Sequence, residues 1–584
     1  MVVAPRPGAR ARSRVTVSDA PPTRPVPAAM IVPIPWLRRR AGRRSAPWAK
    51  AVVTLVVALS AMVGTAGAQA PSVDPCAYEG GATDEEGAPL YNGGDASRHT
   101  TLLRPFAVTS YPCLRADDMR AVRVRMGSVE LIEGGRLLER VDLPPRDGPL
   151  PFEEVAALME AYSWAVEVEP GVFELSAAVV QAPGTTMSVA APRVKAVRLL
   201  DRPGVFIGGR GATARFEGVT VTSWDPRRAG PDENPEDHRP FVVYEKGSRL
   251  EVVGSQMSFL GSDRTYGYGV MWGQGTTGEV ADSTFDHNFF GVYTSSARDV
   301  AFRRSVFRDN LYYGLNLHTG TRDVLAEDND AHGNGSHGIV GAGAVVHNVF
   351  TRNHSYANKG NGIVMDGGSD RNLIEGNTVE DNAKDGIVII SSSDVVVVGN
   401  VVRRHRVGVR VNQRGSDRDA VRDNVIEDSQ LGVQAYGGAT ETTVAGNTVV
   451  ASSRVALVLD SPGSLVTGGD VRRAPRGLEI RAATRVADVT LVQVEQGLVV
   501  TGTGIADVER VDVAAGSRPV RVEPGGTLRV ADSTLDGRPA ARDRWLPLAG
   551  LAAVSVAVSL QMVSRLRHRD RRAVQAPPGV WNTV

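Results

Sequence analysis

The stretch Tyr313-Gly314-Leu315-Asn316-Leu317-His318-Thr319 sets a phenol, a carboxamide and an imidazole along one short run of chain. These three groups suit abstraction of a proton next to a carboxylate. An imidazole takes the proton and an acid returns one from the opposite face. A hydrogen-bonding or positive group holds the enolate-like charge in between. In a strand, successive side chains point to opposite faces. Leu315 then points inward, Asn316 and His318 point outward together, and Tyr313 sits at the strand's edge. Each residue also has a plainer use. His318 fits a solvated surface histidine on a sugar-binding groove, and Tyr313 fits a corner aromatic packed on the Phe290 coil. Asn316 can orient an imidazole or bond a protonated carboxylate, but it supplies no charge.

The elements that must position these groups come from a repeat. Seven successive lines each carry an Asn or Asp, then a glycine followed by an aliphatic run, the glycines being Gly291, Gly314, Gly338, Gly362, Gly386, Gly408 and Gly432. The intervals are 23, 24, 24, 24, 22 and 24 residues, which marks one supersecondary unit stacked on copies of itself. Each line is too short for a helix pair and rich in Val, Ile, Thr, Phe and Tyr, which fit pleated strands. Leucine-rich repeats share the period but need a consensus that this chain lacks. The fold class is therefore all-β, a right-handed single-stranded parallel β-helix with about three strands per coil and coils about 4.8 Å apart. Asn310, Asn334, Asn358 and Asn382 recur at one corner; stacked asparagines there bond to one another, a structural use. The aliphatic residue after each glycine points inward. The outward columns read Tyr293/Ser295, Asn316/His318, Val340/Ala342, Val364/Asp366, Val388/Ile390, Arg410/Asn412 and Gln434/Tyr436. Asp366, on the His318 column, and His337, just before its glycine, are substrate-binding candidates, as is Arg410. Arg403, Arg404, Arg406, Arg410 and Arg414 fit either a polyanion site or a solvated corner.

Coils are expected over 171–540, behind a small α+β cap region at 71–170 whose helix-like segment, residues 152–164, covers the open end of the solenoid. The net charge of +1 argues against a nucleic-acid partner. Residues 1–68 read as an N-terminal extension and signal peptide: a basic run, an apolar run at 51–63, then Ala66-Gly67-Ala68. Residues 545–563 read as a transmembrane helix and 564–584 as a basic cytoplasmic tail, which makes the protein a single-pass cell-membrane protein with the β-helix outside. The two cysteines, Cys76 and Cys113, are either one disulfide or two thiols. No HExxH, Cys/His ligand spacing, GxSxG elbow or phosphate loop occurs, so neither cofactor nor metal is expected.

The stretch DSTFDHNFFGVYTSSARDVAFRRSVFRDNLYYGLNLHTGTRDVLAEDNDAHGNGSHGIV, with FTRNHSYANKGNGIVMD and NLIEGNTVEDNAKDGIVI after it, resembles the periplasmic mannuronan C5-epimerases of alginate biosynthesis. The resemblance covers about residues 170–440. It implies a polysaccharide-modifying isomerase with His318 as base, Tyr313 as acid and Asn316 where the family carries an acid. An anionic, uronate-containing polysaccharide would be its substrate, with envelope polysaccharide-export machinery as a partner. The family's signature keeps its tyrosine and histidine here but loses both acidic positions and the proline. The family arginine that neutralises the substrate carboxylate falls on Gly343, and a further basic position falls on Gly367. Arg322, Arg352 and Lys359 are the basic candidates to replace it. A lyase starts with the same proton abstraction, and a non-catalytic β-helix that binds or guides an exported glycan is the other reading.

Overall fold

The computed structural model describes residues 120–540 apart from 135, 203, 237–238 and 264–266. One coil shows the plan. Leu315–His318 lies on a first face, Leu325–Glu327 on a second and Asp330–His332 on a third, after which Ile339–Ala342 returns to the first. Every return pairs in parallel with the strand one coil before. The result is a right-handed parallel β-solenoid, whose second face alone is a sixteen-stranded sheet. The repeat stacks in register: Val292, Leu315, Ile339, Ile363, Ile387, Val409 and Val433 are successive partners. All seven are fully buried in the interior core. The repeat glycines are needed because neighbouring coils approach closely there. A Cβ at Gly362 would lie 2.8 Å from the carbonyl oxygen of Gly386 and collide with Val379.

Asparagine columns hold the corners. At the corner between the second and third faces, Asn353 Oδ1 accepts the Asn329 backbone N–H at 3.1 Å and the Asn329 amide at 2.9 Å. The Asn353 amide donates to Asn377 Oδ1 and to the Ala326 carbonyl, each at 2.9 Å. Asn288, Asn310, Asn334, Asn358 and Asn382 repeat the scheme before the first face. A buried backbone donor must find an acceptor, and this side chain supplies one per coil. Asn353→Ala should therefore orphan the buried Asn329 donors above and remove the amide donor to the Ala326 carbonyl, costing about 2–4 kcal/mol. The chemical-denaturation midpoint reads this directly, with Glu375→Ala on the exposed surface as the control expected within about 0.5 kcal/mol. Equal midpoints for the two variants would contradict the ladder's role.

At the N-terminal end, Arg120–Arg125, Ser128–Glu133 and Arg136–Asp142 form an antiparallel meander that joins the first face in parallel at Ala178–Gln181. The helix Phe152–Glu160 buries Phe152, Val155, Ala156 and Met159, all members of the interior core. At the other end, Asp470–Ile480, Thr490–Val500 and Asp512–Val522 run unbroken through the corner that earlier coils mark with asparagine. Without the side chain that arrests the backbone there, third and first faces fuse into single long strands. Thr534–Leu535 and Arg538–Pro539 close the chain as an antiparallel pair.

One expectation is corrected. The fold class was read to include a C-terminal transmembrane helix, but no helix among the described residues is long and apolar enough to cross a membrane. Residues 545–563 and the tail lie outside the described residues, as do the signal segment, Cys76 and Cys113.

Candidate functional site

The Leu315–His318 strand carries Asn316 and His318 on the outer side of the first face, in register with Tyr293 and Ser295 above and with Val340 and Ala342 below. Tyr313 stacks on Phe290 of the preceding coil at 5.3 Å, and His318 stacks on Tyr293 at 5.5 Å. Phe290 and Tyr293 lie 5.6 Å apart. A chain of rings thus joins Tyr313 and His318 across the face, with Asn316 between them in sequence. These rings belong to an aromatic cluster with Tyr268, Phe289 and Tyr312.

His318 is braced from its own turn. Its Nδ1 lies 2.6 Å from the Thr319 hydroxyl. Its backbone N–H donates to Thr294 Oγ1 at 3.3 Å, and its carbonyl accepts from Thr321 Oγ1 at 2.7 Å. Asn316 is fully buried, and neither its Oδ1 nor its Nδ2 has a hydrogen-bond partner. Burying an amide without partners costs free energy. A buried, unpartnered carboxamide between a phenol and an imidazole is therefore an expensive feature on this face.

His337 falls directly below Tyr313, stacked on it at 5.1 Å with planes 12° apart. Its Nδ1 accepts the Asn361 backbone N–H at 2.9 Å. That bond makes Nε2 the protonated nitrogen of a neutral imidazole. Gly360 makes room, since a Cβ there would collide with the imidazole.

The other sequence candidates are distributed unevenly. Asp366 ends its strand on the His318 column, between Ala342 and Ile390. Lys359 is exposed at the turn leading into the first face; its backbone N–H donates to the Asn334 carbonyl at 3.0 Å, and its side chain makes no hydrogen bond or ion pair among the described residues. Arg352 lies at the distant corner between second and third faces, paired with Asp328 at 2.9 Å and with Glu327. Arg322 turns the corner beyond His318 and pairs with Asp323 at 3.0 Å. Arg410 is on the Asn316 column but buried, with its Nε 2.7 Å from Asp385 Oδ2. Arg403 and Arg404 belong to the third face, paired with Glu427 and Asp381. Gly343 lies beside His318: a Cβ there would sit 3.8 Å from the imidazole Cε1, and its φ of +77° suits glycine.

Asn361, Lys384 and Asp385 were not among the sequence candidates, whereas Arg406, from the arginine run, pairs with Asp385 at 2.7 Å. Asn361 and Asp385 stand in the same pre-glycine column as Tyr313 and His337, so reading that column by position would have found them. Among the described residues no cluster of His, Cys, Asp or Glu is arranged to hold a metal ion.

The family described as right handed beta helix region matches residues 242–402 and 367–449. The mannuronan C5-epimerase of Pseudomonas aeruginosa is 29% identical over 247 residues, which are 40% of this chain and 42% of that protein. The mannuronan C5-epimerase of Pseudomonas syringae pv. tomato is 29% identical over 179 residues, 28% of this chain and 33% of that protein. The crystal structure of the periplasmic alginate epimerase AlgG aligns with a TM-score of 0.46 and 19% identity, over 66% of this chain and 84% of that one. The chain spans less than half the length of the curated relatives it matches. The chain is a right-handed parallel β-helix similar to mannuronan C5-epimerases.

Proposed function

We propose that this β-helix is an extracytoplasmic C5-epimerase-like isomerase acting on uronate residues of a glycan. The observation that carries the reading is Asn316, buried and unpartnered on the same outer face as Tyr313 and His318. In this mechanism His318 Nε2 removes the C5 proton, and the C–H electron pair moves into the carboxyl group as an enolate. Asn316 and the His337 N–H hydrogen-bond that group as charge develops, and neutral donors in a partly dry site stabilise it. The Tyr313 hydroxyl returns a proton to C5 from the opposite side, inverting the centre. Lys359 is the one sequence-predicted cation that lies at this edge of the face without a partner, and it serves the substrate carboxylate. The basic and apolar runs ending at residue 68 support export.

A second reading, a non-catalytic glycan-binding β-helix, is favoured by one observation: Gly343 beside His318 supplies no charge. Proton NMR of uronate polymers incubated with the full chain separates the two, and absorbance of unsaturated ends reveals a lyase outcome. Asn316→Asp tests the site from within. It restores the family's acid, and at this fully buried position the carboxyl keeps its proton and still donates, so turnover within about threefold of the parent, or higher, is expected. A loss of a hundredfold or more would remove Asn316 from the proposed role.

A further inference from the structure

We infer, resting on the epimerase-like reading above, that Thr319 is a positioning residue for His318: its hydroxyl accepts the imidazole Nδ1–H and so keeps the lone pair on Nε2.

Thr319 stands at a turn position that the solenoid otherwise gives to small residues. The residues that follow the first-face strands on successive coils are Ser296, Thr319, Gly343, Gly367 and Ser391, and all of them have a positive φ. A side chain branched at Cβ is crowded in that left-handed region. Among the described residues Thr319 is the one Val, Ile or Thr at a positive φ, with +36°. Strain of this kind persists only where the surroundings hold it, and it gathers at functional sites.

The hydroxyl meets the imidazole: Thr319 Oγ1 lies 2.6 Å from His318 Nδ1. The methyl group beside it restricts χ1, so the hydroxyl is held toward the ring. Thr319 is exposed. Water can therefore take the hydroxyl's own hydrogen, which leaves its oxygen to accept from Nδ1. A neutral imidazole carries its proton on one nitrogen and a lone pair on the other. With the proton on Nδ1, Nε2 is the basic nitrogen. With the proton on Nε2, the remaining lone pair points at Thr319 and cannot serve a substrate.

The backbone under the imidazole is fixed as well. The His318 N–H donates to Thr294 Oγ1 at 3.3 Å, and Thr321 Oγ1 donates to the His318 carbonyl at 2.7 Å. The two hydroxyls lie 2.9 Å apart. Since Thr321 gives its hydrogen to the carbonyl, Thr294 supplies the one between the hydroxyls. A ring of hydrogen bonds thus closes on the peptide groups of His318. Both threonines are fully buried. The Thr294 position continues through the following coils as Leu317, Gly341, Met365 and Ile389. A hydroxyl in that apolar column is unfavourable unless it is bonded, and here its bonds clamp His318.

The test compares the full chain with Thr319→Val, which removes the hydroxyl and keeps the branched shape, and with Thr319→Ser, which keeps the hydroxyl. C5 proton exchange on polymannuronate gives kcat and KM. Histidine side-chain nitrogen NMR gives the His318 tautomer, its signal assigned by its absence from His318→Ala. The parent is expected as the Nδ1–H tautomer, and Thr319→Val should populate the Nε2–H form. In that variant kcat should fall by about tenfold or more while KM stays within about twofold, because the base is misarranged and the binding face is intact. Thr319→Ser should keep the parent's tautomer and a kcat within about threefold of it, since the acceptor oxygen remains. An Nε2–H tautomer in the parent, or a Thr319→Val variant that keeps the parent's tautomer or its full kcat, overturns the inference. Should the parent exchange no C5 proton, the epimerase-like reading fails, and the tautomers of the parent and Thr319→Val alone decide the inference.

Discussion

His318→Ala should lower the rate of C5 proton exchange by ~10²–10⁴-fold, the usual cost of losing a general base. The imidazole is held by the Thr319 hydroxyl and the Tyr293 ring on the outer side of its strand, away from the solenoid's interior core. Folding should therefore survive the change. Glycan affinity should shift little, because Lys359 lies at the other edge. The variant should thus bind but not turn over, so that the loss falls on kcat rather than KM. Tyr313→Phe keeps the ring stack with Phe290 and His337 and removes only the hydroxyl; its loss belongs in the same range. Full activity in His318→Ala would remove the base from the account.

Asp419→Asn should stabilise the protein strongly at neutral and mildly alkaline pH. Asp419 occupies an asparagine position of the corner after the first face. Its Oδ1 accepts the Val395 N–H at 2.9 Å, as Asn372 Oδ1 does for Asn348. Its Oδ2 is buried without a partner. Burial, with Asp394, Asp417 and Asp370 nearby, pushes the carboxyl up from 3.8 to about 8. The folded state therefore holds a proton that the unfolded chain releases. Stability from this group is fully present below about pH 4 and is lost progressively as pH rises to about 8. At neutral pH the cost is on the order of 4 kcal/mol, at 1.36 kcal/mol per pH unit. Asparagine needs no proton, and its amide can reach carbonyls as Asn372 reaches those of Val345 and Ser369. Thermal unfolding from pH 4 to 9 should show the parent's midpoint falling and the variant's nearly level. Parallel curves would contradict this.

His405 breaks a different ladder with the opposite sign. It stands where Asn382 would have its next asparagine, and its Nε2 accepts from the Asn382 amide at 3.2 Å. Burial lowers it to about 4, so its contribution is lost as pH falls from about 6.5 toward 4.

The solenoid was legible because its periodicity is redundant. Seven glycines at nearly constant spacing fix the inward column, and a single-residue slip would turn every aliphatic side chain outward. The asparagine ladder was legible for the same reason. The fusion of the last coils was not, because it follows from what Asp470–Ile480 and its successors lack at a corner. At the site, alternation along one strand placed Asn316 and His318 together, and the pre-glycine position placed Tyr313 over His337. Which cations stand near was not legible from spacing along the chain. Arg352 and Lys359 are neighbours in sequence, yet one is committed to Asp328 at a far corner and the other stands at the edge of the face. Lys384 and Arg406 come together only through coil stacking.

The central claim is proton abstraction at C5 of a bound uronate. It is tested most directly by incubating the full chain with uronate polymers in deuterated water and observing C5 by NMR. Deuterium at C5 with inverted residues is the predicted result, absent in His318→Ala. Bound polymer with no deuterium at C5 and no unsaturated ends would contradict it and leave a binding protein.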